Sequence, residues 1–152
     1  MSSVNHNLHD SDFYAWTKQT AQLLKEGRLS EVDIKNIAEE LEDMGNSDKR
    51  GVVSQLSRLI THLLKWMYQP ALRGNSWKNT IEAARIEIID FFKDSPSLKN
   101  EVKNKFDVAY KKAIRIASNE TGIEVKDFPK ECPFTLEQCL NEEFWQIGRA
   151  HV

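Results

Sequence analysis

Arg85 stands on what the sequence predicts to be the apolar face of a helix, and a guanidinium there needs a chemical explanation. A helical step of about 100° per residue places Arg85 beside Ile81 and Ile88. Burying an unpaired charge is costly, so we expect a carboxylate from another helix to meet it, with Glu40 the first candidate and Asp43 the second. Three interpretations remain open: a buried ion pair that fixes helix register, a ligand-binding or catalytic group, and an arginine whose head reaches solvent.

His62 could join these residues in a hydrolytic site. A carboxylate of Glu40 or Asp43, or the imidazole of His62, would activate water, and Arg85 would stabilise an anionic transition state. His62 is the only histidine inside a predicted helix, and its structural alternative is a half-buried ring that bonds a neighbour. From Arg58 to His62 the spacing is one residue short of the Arg-x4-6-His pattern of some nucleases. A hydrolase or nuclease is therefore the alternative function.

A run of four carboxylates precedes Gly45, at Glu39, Glu40, Glu42 and Asp43. Paired carboxylates can bind a divalent cation, but metal sites in helical bundles draw carboxylates or Glu-x-x-His pairs from several helices. The chain contains no Glu-x-x-His pair, no glycine-rich phosphate loop and no Cys-x-x-Cys. We therefore interpret the run as a solvated helix face and predict neither a metal site nor a cofactor.

Aromatic and polar side chains crowd the loop between the third and fourth predicted helices, at Trp66, Tyr68, Arg73 and Trp77. Such a mixture suits a planar or anionic ligand or a protein partner, and it equally suits an aromatic contact between two helices. Because no complete catalytic set is visible, a binding or protein-interaction module is our leading hypothesis. Whether the chain is an enzyme stays open, as does its partner, for which another protein and a second copy of the chain are the alternatives.

The elements that would position these residues are all helical. The spacing of apolar residues predicts an all-α, antiparallel bundle of about five helices, with a C-terminal extended segment and a short helix packed on it. We expect a flexible tail at 1–10, one helical domain at 11–146 and a C-terminal tail at 147–152. Cap and stop residues predict the helices as Ser11 to Gly27, Ser30 to Gly45, Ser47 or Asn46 to about Gln69, Ser76 onward, Ser95 to Gly122, and a short helix after Thr135.

Composition limits the class of protein. The 152 residues are 40% hydrophobic and 29% charged with a net charge of -2, which fits an ordinary globular domain and gives no electrostatic signature of nucleic-acid binding. Nucleic acid is thus not indicated, although charge alone does not exclude it.

No apolar run reaches the roughly 18 residues of a membrane span, so we expect a soluble cytoplasmic protein without a membrane partner. Cys132 and Cys139 are expected to be reduced thiols.

Several strings, in this order and spacing, resemble the bacterial domain-of-unknown-function family DUF29, which is abundant in cyanobacteria. They are DFYAWT at 12–17, AEELEDMG at 38–45, HLLKW at 62–66, YQP at 68–70, SW at 76–77, DSPSL at 94–98 and PKECPFT at 129–135. The resemblance covers about residues 10–145. It implies an all-helical bundle in a bacterial cytoplasm and brings no activity, substrate or cofactor with it.

Overall fold

The computed structural model of the chain describes residues 2–145, with side chains from residue 7 onward, and this part is all-α without strands. Short 3-10 turns lie at Leu29–Glu31, Pro70–Leu72 and Val125–Asp127. The helices in chain order are α1 (Ser2–Ser11), α2 (Phe13–Lys25), α3 (Ile34–Tyr68), α4 (Asn75–Asp94), α5 (Leu98–Asn104), α6 (Phe106–Thr121) and α7 (Leu136–Leu140). The tail predicted at 147–152 lies outside the described residues. None of the described helices combines the length and the apolar character that crossing a membrane requires.

The contacts of the chain group it into two compact units, Met1–Ser47 and Asp48–Val152, which we call the first and second units. The boundary between them falls inside α3. The sequence predicts one domain at 11–146, and these bounds stay a prediction.

Helix α1 includes most of the residues, 1–10, that the sequence predicts to be a flexible tail. Its last turn is held by His9, whose ring makes an edge contact with Trp16 at 4.6 Å between centroids. Helix α2 begins after Asp12, whose carboxylate accepts a hydrogen bond from the Ala15 amide at 3.1 Å. The predicted cap, Ser11, is instead the last residue of α1. His9 also contacts Glu40, which lies 31 residues further along the chain, and local patterning could not predict that contact.

Helix α3 runs without interruption through the break that the sequence predicts at Gly45. Among the described glycines only Gly27 and Gly122 have positive φ, so Gly45 adopts the backbone of an ordinary helical residue. A glycine inside a helix lowers its stability by about 1 kcal/mol without ending it. The helix begins after Asp33, whose carboxylate accepts a hydrogen bond from the Asn36 amide at 3.2 Å, and Ser30 is not its cap.

The core of the second unit combines the later turns of α3 with α4, α5 and α6. The fifth predicted helix is two helices, because the chain turns at Lys105, and Gly122 ends α6 in the left-handed conformation as predicted. Helix α4 begins at Asn75, one residue before its predicted cap. Fully buried apolar side chains include Val52, Leu56, Leu59, Ile60, Leu63, Leu64, Ile81, Ile88, Val102 and Ala113.

The segment after α6 packs on this core, as the sequence predicts. Thr135 and Gln138 form the expected capping box at the start of α7. The Tyr110 hydroxyl donates a hydrogen bond to the Pro129 carbonyl, which ties the extended stretch to α6. Phe128, Phe134, Leu136 and Cys139 are all buried. Both cysteines are free thiols, as predicted, and burial raises the pKa of Cys132 to about 11.

Candidate functional site

Arg85 is completely buried in α4, and it binds backbone rather than a carboxylate. Its Nε donates to the Cys139 carbonyl at 2.6 Å and its Nη2 to the Phe144 carbonyl at 3.2 Å. The guanidinium also lies over the Trp145 ring, 5.1 Å from the centroid. Burial lowers the pKa of Arg85, and its Nη1 has no hydrogen-bond partner within residues 2–145. Arg85 therefore anchors the C-terminal segment to α4.

The predicted pairing of Arg85 with Glu40 or Asp43 is wrong. Glu40 accepts a hydrogen bond from His9 Nε2 at 2.8 Å, and this contact raises the pKa of His9. Asp43 is exposed, as are Glu39 and Glu42. Within the described residues, no group of three or more potential ligands is placed to hold a metal ion. A guanidinium can satisfy its donors with carbonyl oxygens, which every residue carries, so residue types alone could not identify this partner.

Three of the predicted binding residues are engaged within the second unit. Arg73 Nε donates to the Trp66 carbonyl at 2.7 Å, and its guanidinium lies 5.1 Å from the centroid of the Trp66 ring. Trp66 in turn contacts Trp145, with 4.8 Å between ring centroids. Tyr68 meets Phe128 edge to face at 5.1 Å. These half-buried contacts join elements of the second unit, and a binding role for the three residues stays a prediction.

The fourth predicted binding residue, Trp77, is half-buried and faces a cation. Lys65 Nζ lies 5.0 Å from the Trp77 ring centroid and pairs with the Glu120 carboxylate at 2.8 Å. Lys65 is itself 9% exposed, so its charge is largely removed from water. The pair and the ring together connect α3, α4 and α6.

His62 lines a cleft between α3 and α6 in which Arg85 has no part. Its Nδ1 lies 2.9 Å from the Arg58 carbonyl, and since a carbonyl oxygen only accepts, Nδ1 carries the proton. In the neutral ring Nε2 is then free to accept a hydrogen bond. Burial lowers the pKa of His62, which favours the neutral ring. His62 and Arg85 thus belong to different surroundings within the second unit.

Sequence reasoning missed two surfaces. One is the cleft at His62, to which α6 contributes Lys112 and Glu120. Nothing in the spacing along the chain relates α6 to α3, so only the packing of the two helices could show it. The other is the apolar side of α3 in the first unit, which helical patterning would place against a core. Ile34 is 67% exposed, Leu41 63% and Met44 65%.

The fold and these sites define an all-α protein with a buried arginine anchor, a polar cleft and an exposed apolar helix face. The family model for the domain of unknown function DUF29 matches residues 8–145, and the chain belongs to this family. No curated protein matches the chain. No solved structure matches it either.

Proposed function

We propose that the chain is a protein-interaction module that binds a basic amphipathic helix along the first turns of α3. The binding surface, which we call the exposed stripe, consists of Ile34, Ile37, Leu41 and Met44. The observation that carries the proposal is the exposure of three large apolar side chains of the stripe, each 63% or more. Large apolar side chains clustered at a protein surface mark interaction sites.

The spacing of the exposed stripe suits a helical partner. Steps of three, four and three residues place its members on one seam, at the a and d positions of two heptads. Beside this seam lie the small residues Ala38 and Gly45, which allow a second helix to approach closely. Since about two-thirds of each of the three side chains is exposed, burying each should contribute roughly 1 to 2 kcal/mol.

The carboxylates around the exposed stripe favour a basic partner. Residues 34–44 carry four carboxylates and one lysine, and three of these carboxylates, on Glu39, Glu42 and Asp43, are exposed. A helix with lysine or arginine beside its apolar seam would gain favourable pairs, whereas a second copy of the chain would place like charges opposite one another. Charge complementarity thus favours a basic helix.

A synthetic helix of about three heptads tests the proposal, with leucine at its a and d positions and lysine at e and g. Its affinity for the full chain is measured by calorimetry on wild type and on Leu41→Gln. We expect saturable binding that Leu41→Gln weakens about tenfold, the equivalent of 1.4 kcal/mol. Leu72→Gln is the matched control, because Leu72 is a leucine of similar exposure, 62%, at Pro70–Leu72.

Three results would overturn the proposal. Equal weakening by Leu41→Gln and Leu72→Gln would show that the stripe has no special role. Equal binding of a peptide with glutamate at e and g would show that charge does not select the partner. A dimer in sedimentation velocity that Leu41→Gln dissociates would show that the stripe closes on a second copy.

The hydrolase or nuclease alternative has less support from the contacts. His62 carries its proton on Nδ1, so its Nε2 could act as a base, which is the observation in favour of this alternative. The guanidinium of Arg85 is committed to two carbonyl oxygens, and Glu40 is committed to His9. Hydrolysis of a model phosphodiester that His62→Gln abolishes, in a protein that still folds, would reverse this preference.

A further inference from the structure

The cleft between α3 and α6 of the second unit has the size of a small-molecule site. Its volume is about 420 Å³, within the usual range for ligand pockets, and it is a half-open groove rather than an enclosed cavity. Helix α3 contributes five polar residues and an arginine, and α6 contributes two charged residues and one apolar residue. The lining includes Ser57, Arg58, Thr61, His62, Lys112 and Glu120.

Ser57 is the buried residue of the cleft whose side chain has no hydrogen-bond partner among the described residues. The side chain is 1% exposed, and its hydroxyl has no hydrogen-bond partner within the described residues. Its neighbour Thr61 differs, because the Thr61 hydroxyl donates to the Ser57 carbonyl at 2.8 Å. Leaving a buried hydroxyl without a partner is costly. The Ser57 oxygen is closed to solvent, so a group bound in the cleft would satisfy it after rotation of the Ser57 side chain toward the ligand.

The charges of the cleft favour an anion. Arg58 and Lys112 both line it, and neither forms an ion pair with another residue in the part of the chain that the structure describes. The one carboxylate of the lining, on Glu120, is already paired with Lys65 at 2.8 Å. The guanidinium and the ammonium are thus the charges that remain for a ligand, and both groups bind phosphate.

Two hydrogen-bond acceptors in the cleft favour an anion that also carries hydroxyl groups. His62 Nε2 and the carboxylate of Glu120 can both accept hydrogen bonds from ligand hydroxyl groups. The lining contains no phenylalanine, tyrosine or tryptophan on which a base could stack, which disfavours a nucleotide. From this combination we infer that the cleft binds a small phosphate monoester that carries hydroxyl groups, such as a sugar phosphate. The inference is independent of the exposed stripe, which belongs to the first unit.

Calorimetry of the full chain with glucose 6-phosphate, at constant ionic strength, tests the inference. We expect one saturable site whose affinity falls about tenfold or more in Arg58→Gln and in Lys112→Gln, since each removes a hydrogen bond to a charged group. Arg115→Gln is the matched control, because Arg115 is an exposed cation of α6 that does not line the cleft.

Ser57→Ala gives a second, distinctive readout. Removing an unpartnered buried hydroxyl should keep or raise the melting temperature of the free protein while it reduces the shift that glucose 6-phosphate produces. A merely structural serine would lower the melting temperature and leave the ligand-induced shift unchanged.

Other outcomes would overturn the inference. Absence of saturable binding would do so, as would equal weakening by Arg115→Gln, which would indicate general attraction of anions. If inorganic phosphate bound as tightly as glucose 6-phosphate, the role assigned to the ligand hydroxyl groups would be wrong. If glucose bound equally well, the role assigned to the phosphate would be wrong.

Discussion

Replacing Arg85 by methionine should loosen the C-terminal segment from the second unit. The substitution removes the two hydrogen bonds to Cys139 and Phe144, and bonds to charged groups contribute about 1.5 to 3 kcal/mol each. The gross loss of about 3 to 6 kcal/mol is offset in part, because methionine no longer requires a charge to be desolvated. We expect a net loss of about 2 kcal/mol.

Hydrogen–deuterium exchange of residues 136–145 and urea unfolding measure this effect. A loss of about 2 kcal/mol corresponds to exchange roughly thirtyfold faster, at 1.4 kcal/mol per factor of ten. Arg85→Lys should not restore protection, because an ammonium lacks the planar fork that reaches two carbonyls. Arg115→Met, on the exposed side of α6, is the control.

The outcome that refutes this reasoning is normal protection of residues 136–145 in Arg85→Met at unchanged stability. The contacts of Arg85 would then add nothing beyond those made by the apolar side chains of the segment. Faster exchange spread evenly over the second unit would equally contradict a local anchor.

Further predictions concern single positions. Gly45→Ala should stabilise the protein by about 0.5 to 1 kcal/mol in urea unfolding, because a Cβ there meets nothing within 4 Å and the backbone is helical. Gly122→Ala should destabilise it by more than about 1 kcal/mol, since φ is +81°. Tyr110→Phe should cost about 1 kcal/mol in the same assay through its lost hydrogen bond, and an unchanged midpoint would contradict that bond. Because Glu40 raises the pKa of His9, the stability from this contact should be fully present below about pH 6.5 and disappear as pH rises through the raised value. Urea unfolding of His9→Gln and wild type across pH, with an NMR titration of His9, checks the sign.

Local signals in the sequence identified most of the helices. Gly27 and Gly122 end their helices because left-handed backbone suits glycine, and the capping box of Thr135 and Gln138 is a contact within one turn. Gly45 was predicted to end a helix on the same grounds. That prediction was wrong, because a glycine can also occupy ordinary helical backbone. The distinction depends on conformation, which residue type does not determine.

The candidate sites depended on contacts between distant parts of the chain, and these could not be predicted. The periodicity placed Arg85 correctly on the apolar face of α4, but its partners lie 54 and 59 residues away. A half-buried ring was one of the two interpretations of His62, whereas its neighbours on α6 became visible only in the folded chain. Helical spacing alone would place the exposed stripe of α3 against a core, and only the folded chain shows that it is exposed.

The recognition of carbonyl oxygens by Arg85 has a consequence for how sequences of this family can diverge. An ion pair couples two side chains, so a change at one position selects for a compensating change at the other. Arg85 imposes no such demand on positions 139 and 144, because any residue there supplies the same acceptor. Those two positions can drift within the limits of packing while the contact persists. Correlated substitutions between aligned sequences would therefore not reveal the contact, although it holds the C-terminal segment on the core.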